Sequence, residues 1–201
     1  MIRARAMLQG FNLIGADAFN VGHLDLAAGL PFLKSLADQA EFPFLSATLV
    51  NDDGDLIFKP YTLVDKGDLK FALIGASGSI QPGSGYRTID LLPALEKTVK
   101  DVESQSDLIV LLFHGSAGER QQVLDSGLPI RLIVQSHDMG YTSNFSTTIP
   151  YATVGTQGKY INLVTLSVSD PDEPFVDLAR AQQNLRFVER TRKSLRRGKP
   201  G

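Results

Sequence analysis

What this chain lacks already limits what it can do. Its 201 residues include no cysteine, which excludes a disulfide framework, a thiolate metal site and a cysteine nucleophile. No run comes near the roughly 18 apolar residues that a membrane span needs, and the first residues lack the apolar segment of a secretory signal. A formal net charge of −2 argues against nucleic-acid binding by the whole chain. The length and the 43% hydrophobic content predict one domain with one sizeable core.

Histidine is scarce too, and its three copies share one kind of position. Each lies at or just after the end of a short segment that we predict to be a β-strand. The three residues are His23, His114 and His137. Because imidazole is a common metal ligand, this placement favours a metal or phosphate site. The alternative is that each histidine only hydrogen-bonds a loop.

Two of these histidines follow the most regular part of the sequence. Residues 108–113 and 130–134 are short and rich in Ile, Val and Leu, which is typical of parallel strands covered on both faces. Residues 117–126 have the length and composition of a crossover helix between them. Ligands of open α/β sheets bind beyond the carboxyl ends of the strands, so we expect His114 and His137 at one sheet edge.

The remaining hydrophobic pattern predicts further alternation of helices and strands. We expect helices at 4–14, 26–40, 91–103 and 175–195, and strands at 18–21, 42–50, 56–64, 70–74, 151–154 and 160–168. Strand 56–64 is expected to pair with 42–50, and 151–154 to form a hairpin with 160–168. Asp25 is placed to cap the helix at 26–40, although a proline within that helix predicts either a boundary near Gly29 or a kink.

Two segments fall outside this alternation. Residues 75–85 are rich in glycine, but their spacing fits neither a P-loop nor a dinucleotide fingerprint, so phosphate binding there is only an alternative. Residues 186–199 contain seven Lys or Arg and one Glu. That segment is either a solvated helix leading into a linker or a docking element for a partner or an anionic membrane. We predict a domain over 1–170 and a basic helix and tail over 171–201.

Seven short blocks, taken in order, resemble those of the calcineurin-like metallophosphoesterases. They are residues 16–25, 42–47, 59–61, 74–75, 111–114, 133–137 and 157–160. The nearest branch is that of the 5'-nucleotidases and UDP-sugar hydrolases. The resemblance implies an α/β sandwich of mixed sheets flanked by helices, and two divalent metal ions that activate water for attack on a phosphate ester. It also implies nucleotide or other phosphate-ester substrates, a role in nucleotide catabolism, and an exported, periplasmic location.

The same resemblance assigns metal-binding roles to particular residues. His114 matches the strand-end metal histidine of the family, and His137 matches the first histidine of its Gly-His-x-His block. His23 takes the place of an asparagine ligand, and Asp138 is a candidate fourth ligand. The resemblance leaves open whether the metal is Mn, Zn, Mg or Ca.

Several residues depart from the family pattern. Leu24 takes the place of the catalytic histidine, and an aliphatic side chain can neither donate a proton nor stabilise phosphoryl charge. Met139 stands where a second histidine or a glutamine would bind, and a thioether is a poor ligand for hard ions. Gln135 and Ser136 replace a glycine pair. The first two metal-binding blocks of the family, an Asp-x-His strand and a Gly-Asp turn, are expected upstream of Ala4.

These departures leave fewer ligands than a two-metal centre requires. We therefore expect a degenerate 5'-nucleotidase-like domain with impaired or absent phosphohydrolase activity that acts as a binding module. One alternative is an active metal-dependent hydrolase completed by upstream residues, and another is a non-hydrolytic α/β domain that docks through its basic helix. Strands missing from the sheet would expose apolar surface, which predicts a homodimer or a further domain of a longer polypeptide.

Overall fold

The structure is a computed structural model that describes residues 2–136, 144, 149–153, 161–168, 170, 173, 175 and 185–188. Its α-helices within these residues are α1 (Ile2–Ile14), α2 (Leu30–Ala37), α3 (Leu91–Val102) and α4 (Ala117–Asp125). Its strands within the same residues are β1 (Phe19–Asn20), β2 (Phe44–Leu45), β3 (Leu49–Val50), β4 (Tyr61–Lys66), β5 (Leu69–Ser77), β6 (Arg87–Thr88), β7 (Leu108–His114), β8 (Ile130–Ser136) and β9 (Tyr151–Thr153). A 3₁₀ turn, His23–Leu26, follows β1.

A five-stranded sheet in the order β4, β5, β7, β8, β9 forms the centre of the fold. β4 pairs antiparallel with β5, whereas β5, β7, β8 and β9 are parallel to their neighbours. The parallel strands are rich in Val, Ile and Leu because most of their side chains are buried. Their carboxyl ends meet along one edge, and β7 ends there at His114. The mixed sheet and its flanking helices confirm the predicted fold class.

Two hydrophobic cores hold the layers together. On one face of the main sheet, Ile74, Leu111 and Phe113 pack with Leu95 and Val99 of α3. On the other side, α1, α2 and the short strands enclose a second core. Members of this second core include Leu8, Leu33, Phe42, Phe44, Leu49 and Ile80. The short strands form two small sheets, β1 with β2 and β3 with β6.

The two layers approach each other closely at Gly75. A Cβ built on Gly75 would lie 2.5 Å from the Cβ of Leu45 and 2.9 Å from Oδ1 of Asn20. The main chain also connects the layers here, since the N–H of Ala47 donates to the carbonyl of Gly75 at 2.7 Å. The absence of a side chain at Gly75 therefore allows the small strands to sit directly on β5.

Several predicted elements are confirmed with shifted ends, and others are corrected. The helix predicted at 26–40 begins only at Leu30, because Gly29 adopts a φ of +85° and Pro31 occupies the first turn. Asp25 does not cap this helix. The strand predicted at 42–50 divides into β2 and β3, because Ser46 turns its side chain onto the N–H of Leu49.

Of two strand pairings predicted from adjacency, one is confirmed only in part and the other is wrong. Isolated bridges join Leu56 to Val50 and Lys59 to Leu45, but the second half of the segment predicted at 56–64 belongs to β4, which pairs with β5 across a tight turn at Gly67. β9 runs parallel to β8 instead of forming a hairpin with the next segment, and residues 161–168 form no strand. Ile161 and Leu163 are largely exposed there. A hydrophobic pattern indicates that a segment can be extended, but it does not identify a partner strand.

The described residues test only part of the predictions for the C-terminal third of the chain. Residues 185–188 are helical, while the rest of the helix predicted at 175–195 and the turn at 155–158 lie outside the described residues. The boundary near residue 170 therefore stays a prediction. Among the helices that the structure describes, none is long and apolar enough to cross a bilayer.

Candidate functional site

Two of the predicted site histidines lie in contact at the carboxyl end of β7. His114 is the last residue of β7, and His23 opens the 3₁₀ turn that follows β1. The Nδ1 atom of His23 lies 2.8 Å from Nε2 of His114. The fold therefore brings together two histidines that are 91 residues apart in the chain. Their role as metal ligands stays a prediction.

A buried glycine makes this contact possible. A Cβ on Gly22 would lie 2.7 Å from Nδ1 and 2.8 Å from Cε1 of His114. The imidazole of His114 is 9% exposed, so its ring has little room to move aside. Glycine at this position therefore lets the backbone before His23 pass over the ring.

Ser136 holds the other side of the His114 ring. The two residues are register partners on β7 and β8, and Nδ1 of His114 lies 3.0 Å from Oγ of Ser136. In the sequence, Ser136 is notable only as a departure from a glycine. The signal that could have found this contact is the parallel register, since both residues lie at the same distance along neighbouring strands.

Asp25 completes the turn that carries His23. Its carboxylate accepts a hydrogen bond from the N–H of Gly22 at 2.7 Å. Burial raises the pKa of Asp25, and this effect outweighs the hydrogen bond from Gly22 and the nearby His23, which both lower it. The hydrogen bond of Asp25 therefore closes the 3₁₀ turn that carries His23.

Glu119 is a site residue that the sequence reasoning missed. Its carboxylate accepts hydrogen bonds from the N–H of Ser79 at 2.7 Å, from the N–H of Ser116 at 2.8 Å and from the Ser116 hydroxyl at 2.7 Å. Burial alone would raise the pKa of Glu119, but these bonds and the nearby His114 outweigh it and lower the pKa. The signal that was present is the pattern Ser116-x-x-Glu119, a capping box at the start of α4.

The position of Glu119 also explains why residue 78, in the glycine-rich segment, has no side chain. A Cβ on Gly78 would lie 2.3 Å from the carboxylate of Glu119, and one on Gly115 would lie 3.0 Å from it. The space beside the main chain of this loop is therefore occupied by the carboxylate of Glu119. Phosphate binding at 75–85 by a glycine cradle stays an alternative that the structure does not test.

Replacing Glu119 with Gln should lower stability only where the carboxylate is ionised. Because folding lowers its pKa below the ordinary value of 4.5, its contribution is complete above that value and disappears as pH falls through the lower, folded-state pKa. We expect the variant to lose about 0.3–1 kcal/mol near neutral pH, the range for a charge at a helix N-terminus, and almost nothing at about pH 3. Urea unfolding at both pH values measures this difference.

The control is Glu96→Gln, because Glu96 is an exposed carboxylate on α3. We expect this variant to follow the wild type at both pH values. An equal loss for Glu119→Gln at neutral and at acidic pH would contradict the assigned role of the carboxylate.

A cavity of about 440 Å³ lies beside the histidine pair. Its size falls within the range of roughly 300–1,000 Å³ that is usual for small-molecule sites. The cavity is lined by His23, Ser79, Ile80, Gln81, Tyr86, His114, Gly115, Ser116 and Glu119. Seven of these nine residues have side chains that can donate or accept hydrogen bonds to a ligand in the cavity.

The donor set does not fit a centre of two hard divalent ions. Within the part of the chain that the structure describes, no group of three or more His, Cys, Asp or Glu could hold a metal ion. The nearby carboxylates of Asp25 and Glu119 both accept backbone N–H groups. Imidazole suits a borderline ion such as Zn²⁺ better than Mg²⁺ or Ca²⁺, which prefer oxygen ligands.

The other predicted site residues divide into two groups. Leu24 is 67% exposed and adds no polar group beside the histidine pair. His137, Asp138 and Met139 lie outside the described residues, so their roles stay predictions. Gln135 is buried, donates to the carbonyl of Gly115 at 2.9 Å and accepts from Arg120.

Comparison with known proteins gives relatives that match in part. No family model matches the chain. Protein UshA of Salmonella pullorum is 40% identical over 68 residues, which is 33% of this chain and 12% of that protein. The chain thus matches only a small part of the length of this curated relative.

Solved structures show the same relationship at the level of the fold. A 5'-nucleotidase precursor from Thermus thermophilus superposes with a TM-score of 0.68 at 18% identity, over 78% of this chain and 36% of that one. The calcineurin-like phosphoesterase YfkN from Bacillus subtilis gives a TM-score of 0.64 at 19% identity, over 73% and 56%. The chain therefore has the fold of these phosphoesterase structures, and one third of it is similar in sequence to Protein UshA.

Proposed function

We propose that this chain is a 5'-nucleotidase-like phosphoesterase domain that binds a phosphate ester, such as a nucleotide, without hydrolysing it by itself. The observation that carries the proposal is the contact of 2.8 Å between Nδ1 of His23 and Nε2 of His114. These two imidazoles bond to each other at the place where the family resemblance puts metal ligands. A site organised in this way suits ligand binding better than two-metal catalysis.

The described residues also lack groups that the reaction needs. Two-metal hydrolysis requires ligands that hold both ions on either side of the reacting phosphate. Here the carboxylates of Asp25 and Glu119 accept backbone hydrogen bonds, and Leu24 offers no proton to a leaving group. We therefore expect binding without turnover.

The cavity beside the pair supplies groups that suit a phosphate ester. The hydroxyls of Ser79 and Tyr86 and the amide of Gln81 can donate hydrogen bonds to phosphoryl oxygens. The negative charge of Glu119 is compensated by its three donors, which reduces its repulsion of an anionic ligand. A divalent cation, when bound, would add positive charge beside the phosphate. His23, with His137 and Asp138, would hold that cation.

One observation favours the alternative of a hydrolase completed by further polypeptide. Val134 lies on β8, in the interior of the main sheet, yet it is 41% exposed. An apolar side chain exposed on the face of an interior strand leaves room for a covering layer from a further domain or a second copy of the chain. Residues upstream would supply missing ligands in that case.

An exported, periplasmic location remains part of the proposal by family resemblance.

Phosphate release tests the proposal. The full chain is incubated with a nucleoside 5'-monophosphate or a UDP-sugar and Mn²⁺ or Zn²⁺, and inorganic phosphate is measured over time. We expect no release above that of a His114→Gln variant, together with binding of the ester detected by calorimetry. Turnover that disappears in His114→Gln would refute the proposal and favour the hydrolase.

A further inference from the structure

We propose that this chain has a second ligand site, an apolar cavity in its second core that binds a small uncharged aromatic molecule. The cavity has a volume of about 190 Å³ and lies between α1, the 3₁₀ turn and α2, with β1 and β2 contributing to its wall. It shares no described lining residue with the cavity beside the histidine pair. This site is therefore separate from the one to which the proposed function belongs.

The lining of the apolar cavity excludes most polar ligands. Thirteen of the fourteen described residues that line it are Ala, Met, Leu or Phe. The exception is Asp25, whose carboxylate already accepts the N–H of Gly22 within its own turn. An ordered water needs about two to four polar partners, and one carboxylate offers too few. The cavity therefore favours an apolar occupant over water.

The apolar cavity extends into the protein instead of lying flat on its surface. Leu33, Phe42 and Phe44 line it and are buried members of the second core. Met7 and Leu24 also line it but are exposed, so they mark its mouth. The flat surface of a partner protein would cover this mouth and leave the interior empty. A small molecule is the occupant that fills the space.

Small side chains explain why the space is there. Ala4 on α1, and Ala27 and Ala28 directly after the 3₁₀ turn, all line the cavity. Protein cores seldom contain voids larger than a water molecule, because the atoms around a void lose their dispersion contacts. A ligand that restores these contacts gains binding energy. Leu24, which departs from the family pattern, contributes an apolar side chain to the mouth of this site.

The wall of the cavity favours an aromatic ligand. Phe11, Phe19, Phe44 and Phe42 form a closed cycle of neighbouring rings whose centroids are 4.8–6.2 Å apart. Aromatic pairs are favourable at separations of about 4.5–7 Å, so an aromatic ligand would add contacts of the same kind. The volume is also sufficient, since an apolar cavity of about 150 Å³ binds benzene.

Benzene binding to the full chain tests the proposal, with methyl groups of Met and Leu labelled with ¹³C. We expect saturable shifts of the Met7 and Leu24 methyl signals, nuclear Overhauser effects from benzene to both, and a Kd of about 0.1–1 mM for so small a ligand. Pyridine has the same size but a ring nitrogen that would lose its hydration, so it should bind about 10-fold more weakly. Absence of saturable binding, or equal binding of pyridine, would overturn the proposal.

A variant that fills the mouth tests the location of the site. Ala28→Phe should weaken benzene binding about 10-fold or more, because the added ring competes for the same space. The matched control is Ala6→Phe, since Ala6 is exposed on α1 and is not among the lining residues. The control should keep the affinity of the wild type, and circular dichroism shows whether both variants are folded. Unchanged affinity in folded Ala28→Phe, or Overhauser effects in the wild type that exclude Met7 and Leu24, would overturn the location.

Discussion

Replacing Phe113 with alanine is expected to lower the free energy of unfolding by about 3–5 kcal/mol. Phe113 is 1% exposed and belongs to the core between the main sheet and its helices. Removing its ring takes away buried apolar surface and leaves a cavity that the surrounding β-sheet cannot collapse to fill. Urea denaturation followed by circular dichroism measures the loss.

Leu13→Ala is the control for this prediction. Leu13 is also apolar, but it is 88% exposed on α1. We expect its replacement to change stability by less than about 0.5 kcal/mol, as for most surface substitutions. Similar stability losses in the two variants would contradict the assignment of Phe113 to a packed core.

Gly75→Ala is expected to destabilise the protein by about 1–3 kcal/mol, although it adds only one methyl group. The new Cβ would lie 2.5 Å from the Cβ of Leu45 and 2.9 Å from its backbone carbon. Main-chain atoms cannot move aside as a flexible side chain can, so β2 must shift away from β5. Thermal and urea unfolding of the variant measure the effect on contact between the layers.

Gly10→Ala provides a matched control of opposite sign. Gly10 lies within α1, and a Cβ built on it meets nothing within 4 Å. Alanine is favoured over glycine in a helix interior, so this variant should gain about 0.5–1 kcal/mol. A loss at Gly10, or a gain at Gly75, would contradict the close approach of the two layers at β5.

The elements that the sequence predicts well are those whose signal is local. The hydrophobic runs of β7 and β8, the length and composition of α4, and the amphipathic pattern of α3 all lie within short windows of residues. Each of these elements forms close to its predicted position. Because α4 is a short crossover between β7 and β8, these two strands are expected to be parallel neighbours, as they are.

Strand pairing was harder to predict because it depends on partners far away in the chain. β9 pairs with β8 instead of with the segment that follows it, and β1 pairs with β2, which lies 25 residues further on. The segment predicted as one strand at 42–50 is divided into β2 and β3 by single side-chain hydrogen bonds of Ser46 and Thr48. A hydrophobic pattern does not contain this information.

In the candidate site too, local features could be predicted from the sequence and long-range contacts could not. His23 and His114 were identified from the sequence because of their rarity and their positions after predicted strands. Their direct bond depends on Gly22, Ser136 and the register of β7 with β8, which only the assembled fold reveals. Glu119 was missed because its capping box looks like a local helix signal. In the structure its carboxylate also holds the loop after β5.

Phosphate release by the full chain is the measurement that tests the central claim most directly. The account predicts that a nucleoside 5'-monophosphate binds in the presence of Zn²⁺ or Mn²⁺ and is recovered intact, with no more inorganic phosphate than His114→Gln produces. Release that is metal-dependent and lost in that variant would contradict the account. The bond between His23 and His114 would then have to open during the reaction.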